Sequence, residues 1–361
     1  GYGFTLIERD AVKPRLAVLA ISLLALFGLA LGVAATKGHF AQALKPVAIS
    51  LVFAALAVAV IRATASRKLT GAILLGVVAV VATADLIVNN GPNESTALPP
   101  EQFDVLRTNT QNPVIAFLHD RLKQNAAPDR RDRVELAAID FHWPNASLVH
   151  GLDHDLGYNP IRLKVLEDAT GAGDHLALPE QREFSKLYPA YRSPLSDMLG
   201  LRYVVTGVPI ELIDKHYKAG DFDALTEIGG VYIYENKNAF PRAQVVNCAM
   251  HVDFTQMLET GEWPEADLRE TVLLEEPPLC HPRKDLPPDA LQARILSYDH
   301  DDIRIETVAP AGGGWLVLYD VWHPWWFASL DGVETPLLRA NVMFRAIAIP
   351  EGRHEARFRF Q

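Results

Sequence analysis

The chain has 361 residues, 49% of them hydrophobic, and a formal net charge of −10. The length predicts two or three structural units. The acidic balance argues against a nucleic-acid partner, whose phosphates need clustered Lys and Arg. The charge is also unevenly placed. Residues 1–90 hold eight basic and three acidic side chains, a net +5, so the remainder carries −15. A basic, apolar head ahead of an acidic, polar body predicts a membrane anchor followed by a solvated domain.

Three apolar runs, the third interrupted only by Asp85, follow one another in the head, and the sequence predicts transmembrane helices at about 16–36, 46–62 and 69–88. About 20 apolar residues span the hydrocarbon core as a helix. The second run is short, and flanking Lys45 and Arg62 would have to snorkel for it to span. A secretory signal peptide would show one such run, not three in series. Arg62, Arg67 and Lys68 crowd the second connection, and Lys13 and Arg15 precede the first run. The positive-inside rule puts both on the cytoplasmic side. Everything after about Asn89 would then emerge on the outer face, periplasmic or extracellular. Asp85 is the one acid within a run. It is either a functional intramembrane carboxylate or a helix-end residue at headgroup level, one turn from Asn89 and Asn90.

Residues 91–100, "GPNESTALPP", read as a linker. From 101 to 285 helical and strand patterns mix, predicting an α/β domain. Pro113 opens a helix; "RVELAAID", "RYVVTG", "GGVYIYEN" and "PRAQVVNCAM" read as strands. From 286 to 361 seven short β-type runs joined by turn residues predict an antiparallel β-sandwich or jelly-roll-like module. Asp331-Gly332 is a two-residue hairpin signal. In the last run His354, Ala356, Phe358 and Phe360 alternate with Glu355, Arg357 and Arg359. "GGG" at 312–314 reads as a turn, because no helix follows to present amides to a phosphate.

Four features invite a chemical reading. "HGLDHDLGYNP" (150–160) places His154, Asp155, Tyr158 and Asn159 in a loop marked by Gly and Pro. It is either a hydrogen-bonded loop or a binding loop for a sugar or phosphate. "WHPWWF" (322–327) offers Trp322, Trp325 and Trp326 for stacking on sugar faces or for lipid headgroups. Alternatively, Trp315, Trp325 and Phe327 pack inward as sandwich core. Glu235 and Arg242 are expected to pair across a strand-to-strand turn. Cys248 and Cys280 are either bridged, as an oxidising compartment permits, or buried thiols. No nucleotide-binding, hydrolase-elbow or zinc-type spacing appears, so no cofactor or metal is expected.

Several segments come in a familiar order. Tyr234, Glu235, Asn236, Pro241 and Arg242 form "YENKNAFPR"; Pro324, Trp326, Asp331, Gly332, Asn341, Phe344, Arg345, Pro350, Gly352 and His354 punctuate the C-terminal stretch. On these residues, and on "SDMLGLRYVVTG", the chain resembles the C-terminal part of the YfhO family of bacterial multispanning membrane proteins. It departs from that family at Trp325, where a Gly is usual. The family is similar to GT-C-type glycosyltransferases, which pass a sugar from a polyprenyl-phosphate carrier to an acceptor on the outer face. The resemblance implies a multi-pass protein of the bacterial cytoplasmic membrane, with membrane lipid, a polyprenyl-phosphate sugar and an envelope glycan acceptor as partners. It also implies that this chain is part of a longer protein, whose catalytic carboxylate lies in a first outer loop ahead of Gly1. No catalytic residue is therefore assigned. A non-catalytic glycan-binding or scaffolding module tethered to the membrane is the alternative.

Overall fold

The computed structural model describes residues 15–90, 100–156, 161–171, 177–276, 286–287 and 290–361. The chain divides into two compact units, Gly1–Gln102 and Phe103–Gln361. The described part of the first is three helices: α1 (Leu16–Thr36), α2 (Phe40–Ala65) and α3 (Gly71–Asn90). All three are long and apolar enough to cross a membrane. Consecutive helices pack on each other, yet Ile21, Leu24, Ile73 and Val80 remain exposed. Helices apolar all round, with that apolar surface uncovered, have hydrocarbon as their natural solvent.

The second helix is longer than its uncharged run. It extends beyond both ends to 26 residues, about 39 Å at 1.5 Å per residue, so Lys45 and Arg62 lie within it. Pro46 sits in its second turn. Thr64 is fully buried and its hydroxyl donates back to Val60 O at 2.9 Å. Asp85 accepts from Asn89 Nδ2 at 2.6 Å, one turn on. This bond joins Asp85 to the polar end of α3. Residues 91–99 of the expected linker, and Lys13, lie outside the described residues.

The second unit is mostly β. Its first sheet takes β1 (Arg133–Ala137), β2 (Asp153–His154), β3 (Leu201–Thr206), β4 (Asp223–Ile228) and β5 (Val231–Glu235), in the order β2-β1-β3-β5-β4. β1 runs parallel to β2 and β3, while β5 is antiparallel to its neighbours β3 and β4. The helix Pro113–Gln124, capped by Asn112 Oδ1, covers one face with Val114, Ile115 and Leu118. Val134, Leu136, Tyr203, Val205 and Ile233 meet it from the strands.

The second sheet is six-stranded. Its strands are β6 (Ala243–Val246), β7 (Cys248–His251), β8 (Thr271–Leu274), β11 (Gly314–Leu318), β14 (Leu338–Ala340) and β15 (Phe344–Ile349), ordered β6-β11-β15-β14-β8-β7. The third is antiparallel throughout. It contains β9 (Gln292–Tyr298), β10 (Asp302–Ala309), β12 (Trp326–Leu330), β13 (Val333–Thr335) and β16 (Gly352–Phe360), ordered β13-β12-β16-β10-β9. These two sheets share a core: Val245, Leu316, Leu318 and Ile347 face Ile303, Ile305, Ala356 and Phe358. Strands from both sides of residue 286 build the second sheet, and "PRAQVVNCAM" makes two strands rather than one.

The aromatic register differs from the core reading of the tryptophans. On β12, Ala328 is buried with Trp326 and Leu330 packed against the core, whereas Phe327 is exposed and Trp325 is 59% exposed. Trp315 packs on the opposite face of the second sheet. Side chains alternate along a strand, so burying Ala328 forces Phe327 outward. The Asp331-Gly332 turn has φ of 51° and 82°, the left-handed values a two-residue hairpin between twisted strands requires.

Gly313 turns from β10 into β11 at φ +77°, and a Cβ there would meet Ile349 O at 2.5 Å. We predict that Gly313→Ala lowers the stability of the β-rich unit by about 1–3 kcal/mol. Urea titration of the detergent-solubilised protein, followed by tryptophan fluorescence, reads this; an unchanged midpoint would contradict the packing at this turn.

Candidate functional site

β1 carries two charged residues inside a fully buried strand, "RVELA". Alternation sets Val134 and Leu136 on the helix-covered face, so Arg133 and Glu135 go to the other. There each finds a different polar cluster.

Arg133 donates to Asp320 Oδ1 at 2.8 Å and to the backbone carbonyls of Tyr319 and Leu199. Arg242 donates to the same Asp320 oxygen at 3.0 Å and to Asp153 Oδ2 at 3.1 Å. The Tyr298 hydroxyl donates to Asp320 Oδ2 at 2.6 Å. Burial opposes the Asp320 charge, but Arg242, Arg133 and Arg345 outweigh it and hold the carboxyl down at about 2. Burial and the neighbouring Asp320 charge push the Tyr298 phenol up to about 12. Arg242 therefore does not pair with Glu235. Glu235 lies on β5 and takes Arg202 at 2.7 Å, while Arg242 precedes β6 and turns toward the sandwich.

Glu135 receives Arg182 Nε at 2.8 Å and the Tyr191 hydroxyl at 2.5 Å. All three side chains are buried. Burial pushes the Glu135 carboxyl up to about 8, with Arg182 opposing and the adjacent Asp155 adding to the rise. Burial also works to raise Asp155, but His154, whose Nδ1 is 3.3 Å away, outweighs it and holds that carboxyl below its ordinary value. Two adjoining carboxyls facing one guanidinium hold one proton between them at neutral pH.

Beside these clusters lies a cavity of about 530 Å³. Arg133, His154, Asp155, Tyr298, Asp320 and Arg345 give it polar walls; Trp325, Trp326, Phe344 and Phe360 give it an aromatic one. The aromatic wall is ordered by β-pairing. Trp326 on β12 sits opposite Phe360 on β16, with ring centroids 5.4 Å apart. Trp325 stands 6.0 Å from Phe360 and edge-on to His323 at 5.2 Å. Arg345 lies over the Trp326 ring at 3.8 Å.

The cavity thus unites His154 and Asp155 with Trp325 and Trp326, residues some 170 positions apart. Trp322 does not line it; its backbone N–H is bound to Met343 O at 2.7 Å and its side chain is half-buried. Tyr158 and Asn159 lie outside the described residues. Sequence reasoning missed Arg133, Glu135, Arg182, Tyr298, Asp320 and Arg345. The one local signal was two charges on the same face of a buried strand. Among the described residues no cluster of three or more His, Cys, Asp or Glu has metal-holding geometry. Cys248 is disulfide-bonded; Cys280, the other cysteine of the chain, lies outside the described residues.

No family model, curated protein or solved structure matches the chain.

Two pH effects follow, with opposite signs. Asp320 has a depressed folded value, so its contribution is complete above about 4 and is lost as pH falls toward about 2. We predict that Asp320→Ala destabilises by about 3–5 kcal/mol at pH 7, because it strands buried guanidiniums. A folded chain of wild-type melting temperature would refute the hub role. Glu135 has a raised folded value, so the folded state keeps a proton that the unfolded state releases. Stability then declines as pH rises from about 4.5 to about 8. Glu135→Gln should flatten that decline. Urea midpoints measured between pH 5 and 8.5 for the two proteins check it.

Proposed function

We propose that this chain is the C-terminal part of a bacterial membrane protein that handles lipid-linked sugars and cell-envelope glycan at the outer face, and that its cavity binds glycan. The observation that carries the reading is the juxtaposition of an aromatic wall with a charged, hydrogen-bonding wall. Sugar rings present apolar C–H faces that stack on Trp and hydroxyls that need fixed donors and acceptors. Trp325 and Trp326 supply the first; Asp155 and Arg345 supply the second. Pockets of about 300–1,000 Å³ accommodate small ligands, and one of about 530 Å³ takes one or two sugar rings.

The outward orientation has two supports. Arg62, Arg67 and Lys68 mark a cytoplasmic connection ahead of α3. A disulfide at Cys248 suits an oxidising compartment. On this reading the β-rich unit comprises an outer α/β layer and a jelly-roll-like sandwich, and it presents acceptor glycan close to the bilayer. The resemblance to the YfhO family extends this to transfer from a polyprenyl-phosphate donor, with the reacting carboxylate supplied by another part of the protein. A second reading keeps the binding and drops the transfer: a tethered module that holds glycan or scaffolds a complex. Glu135, close behind the cavity's Asp155, favours this equally, because it is already engaged by Arg182 and Tyr191.

A reporter that is active only outside the cytoplasm, fused after Asn90, should be active, and a cytoplasm-only reporter at the same point silent; the reverse pattern would sink the orientation. Envelope oligosaccharides should quench tryptophan fluorescence of the purified protein, and Trp325→Ala should weaken binding by roughly 10-fold, the scale of one aromatic contact. Deletion in the native host separates the two readings. A changed sugar composition of the envelope polymers supports transfer; an unchanged one leaves binding alone.

A further inference from the structure

We infer that the cavity selects an acidic glycan, one bearing a carboxylate or phosphate, and that Arg345 is the residue that reads the charge. This rests on the glycan reading of the cavity and adds its substrate class.

The first observation is a charge imbalance. The guanidiniums of Arg131, Arg133, Arg242 and Arg345 gather around the carboxylates of Asp153 and Asp320. Arg182 is answered separately by the carboxyl pair of Glu135 and Asp155. Four guanidiniums therefore share two carboxylates in this network, of which Arg133, Arg345 and Asp320 line the cavity together with Asp155 and Asp299.

The second observation is where that imbalance is least answered. Arg345 is 4% exposed. Its Nε and Nη2 both donate to one acceptor, Val321 O, at 3.0 and 2.9 Å. Its Nη1 has no acceptor among the described residues. A buried guanidinium with a donor left over costs free energy that a bound anion would recover. Burial lowers its proton affinity, with Asp320 opposing, in line with an under-neutralised cation.

The third observation is that the same guanidinium lies over Trp326, one of the two stacking rings. An anionic substituent on a sugar stacked at this wall would lie beside Arg345. Arg133, on the opposite strand layer, has both terminal nitrogens bonded to protein oxygens, so it supplies field rather than a donor. Asp299 is exposed on the rim, where solvent screens it.

The test uses the full chain in detergent and three soluble probes of equal length: a uronic-acid oligosaccharide, a phosphorylated oligosaccharide and a neutral one. We expect at least one acidic probe to bind roughly 10-fold or more tightly than the neutral one, the worth of one charged hydrogen bond. The preference should shrink as salt is raised. Whichever acidic probe binds distinguishes carboxylate from phosphate. Arg345→Gln should abolish the preference, bringing acidic and neutral probes to the same affinity. Arg345→Lys, which keeps the charge, should retain a salt-sensitive part of it; thermal melts establish that each variant is folded. Equal binding of acidic and neutral probes, or a folded Arg345→Gln protein with the preference intact, overturns the inference while the glycan reading stands. If none of the probes binds wild-type protein, both fall together.

Discussion

One buried carboxylate ties the β-rich unit together. Asp320 follows a strand of the six-stranded sheet, and it receives Arg133 from the first sheet and Tyr298 from the third. Arg242, ahead of β6, closes the set. Burying an ion is costly, and removing one partner of such a set is costlier than forming it is favourable. The layers therefore meet at a polar contact whose members are individually costly to remove, while the apolar clusters on either side supply most of the gain in burial. Hydrophobic packing is non-directional; a hydrogen-bonded ion at the meeting of three sheets fixes one arrangement among many.

The cavity lies beside that arrangement. The end of β2, the residues after β11 and the paired ends of β12 and β16 converge next to the ion network. Its polar wall is made of groups whose first role is structural, and its aromatic wall joins Phe344 and Trp326, which also pack in the core, to the exposed Trp325 and Phe360. Function at this place would use surplus capacity: the exposed ring of Trp325, and a guanidinium nitrogen left over after Val321 O was satisfied. Glu135 is the opposite case, because Arg182 and Tyr191 already engage it.

The first unit rests on different physics. Its helices suit lipid without a specific partner, because each satisfies its own backbone and its long central stretch exposes apolar side chains. This is why three runs of composition sufficed to place them, and why the charged flanks of α2 could be absorbed into a 26-residue helix without changing its nature.

The sequence by itself determined what depends on neighbours along the chain. Those features are the three apolar helices, the Asn112-capped helix beginning at Pro113, the Asp331-Gly332 hairpin and the alternation from His354 to Phe360. Each is set by local periodicity or by the φ that a turn demands. Tertiary structure alone decided the rest. Arg133 and Asp320 are 187 positions apart, and no local pattern announces their pairing. Arg242 found Asp320 rather than Glu235 because its strand joins a different sheet. The tryptophans of "WHPWWF" could be assigned to core or cavity only once the register of β12 against β16 was fixed, since a shift of one residue exchanges the two faces.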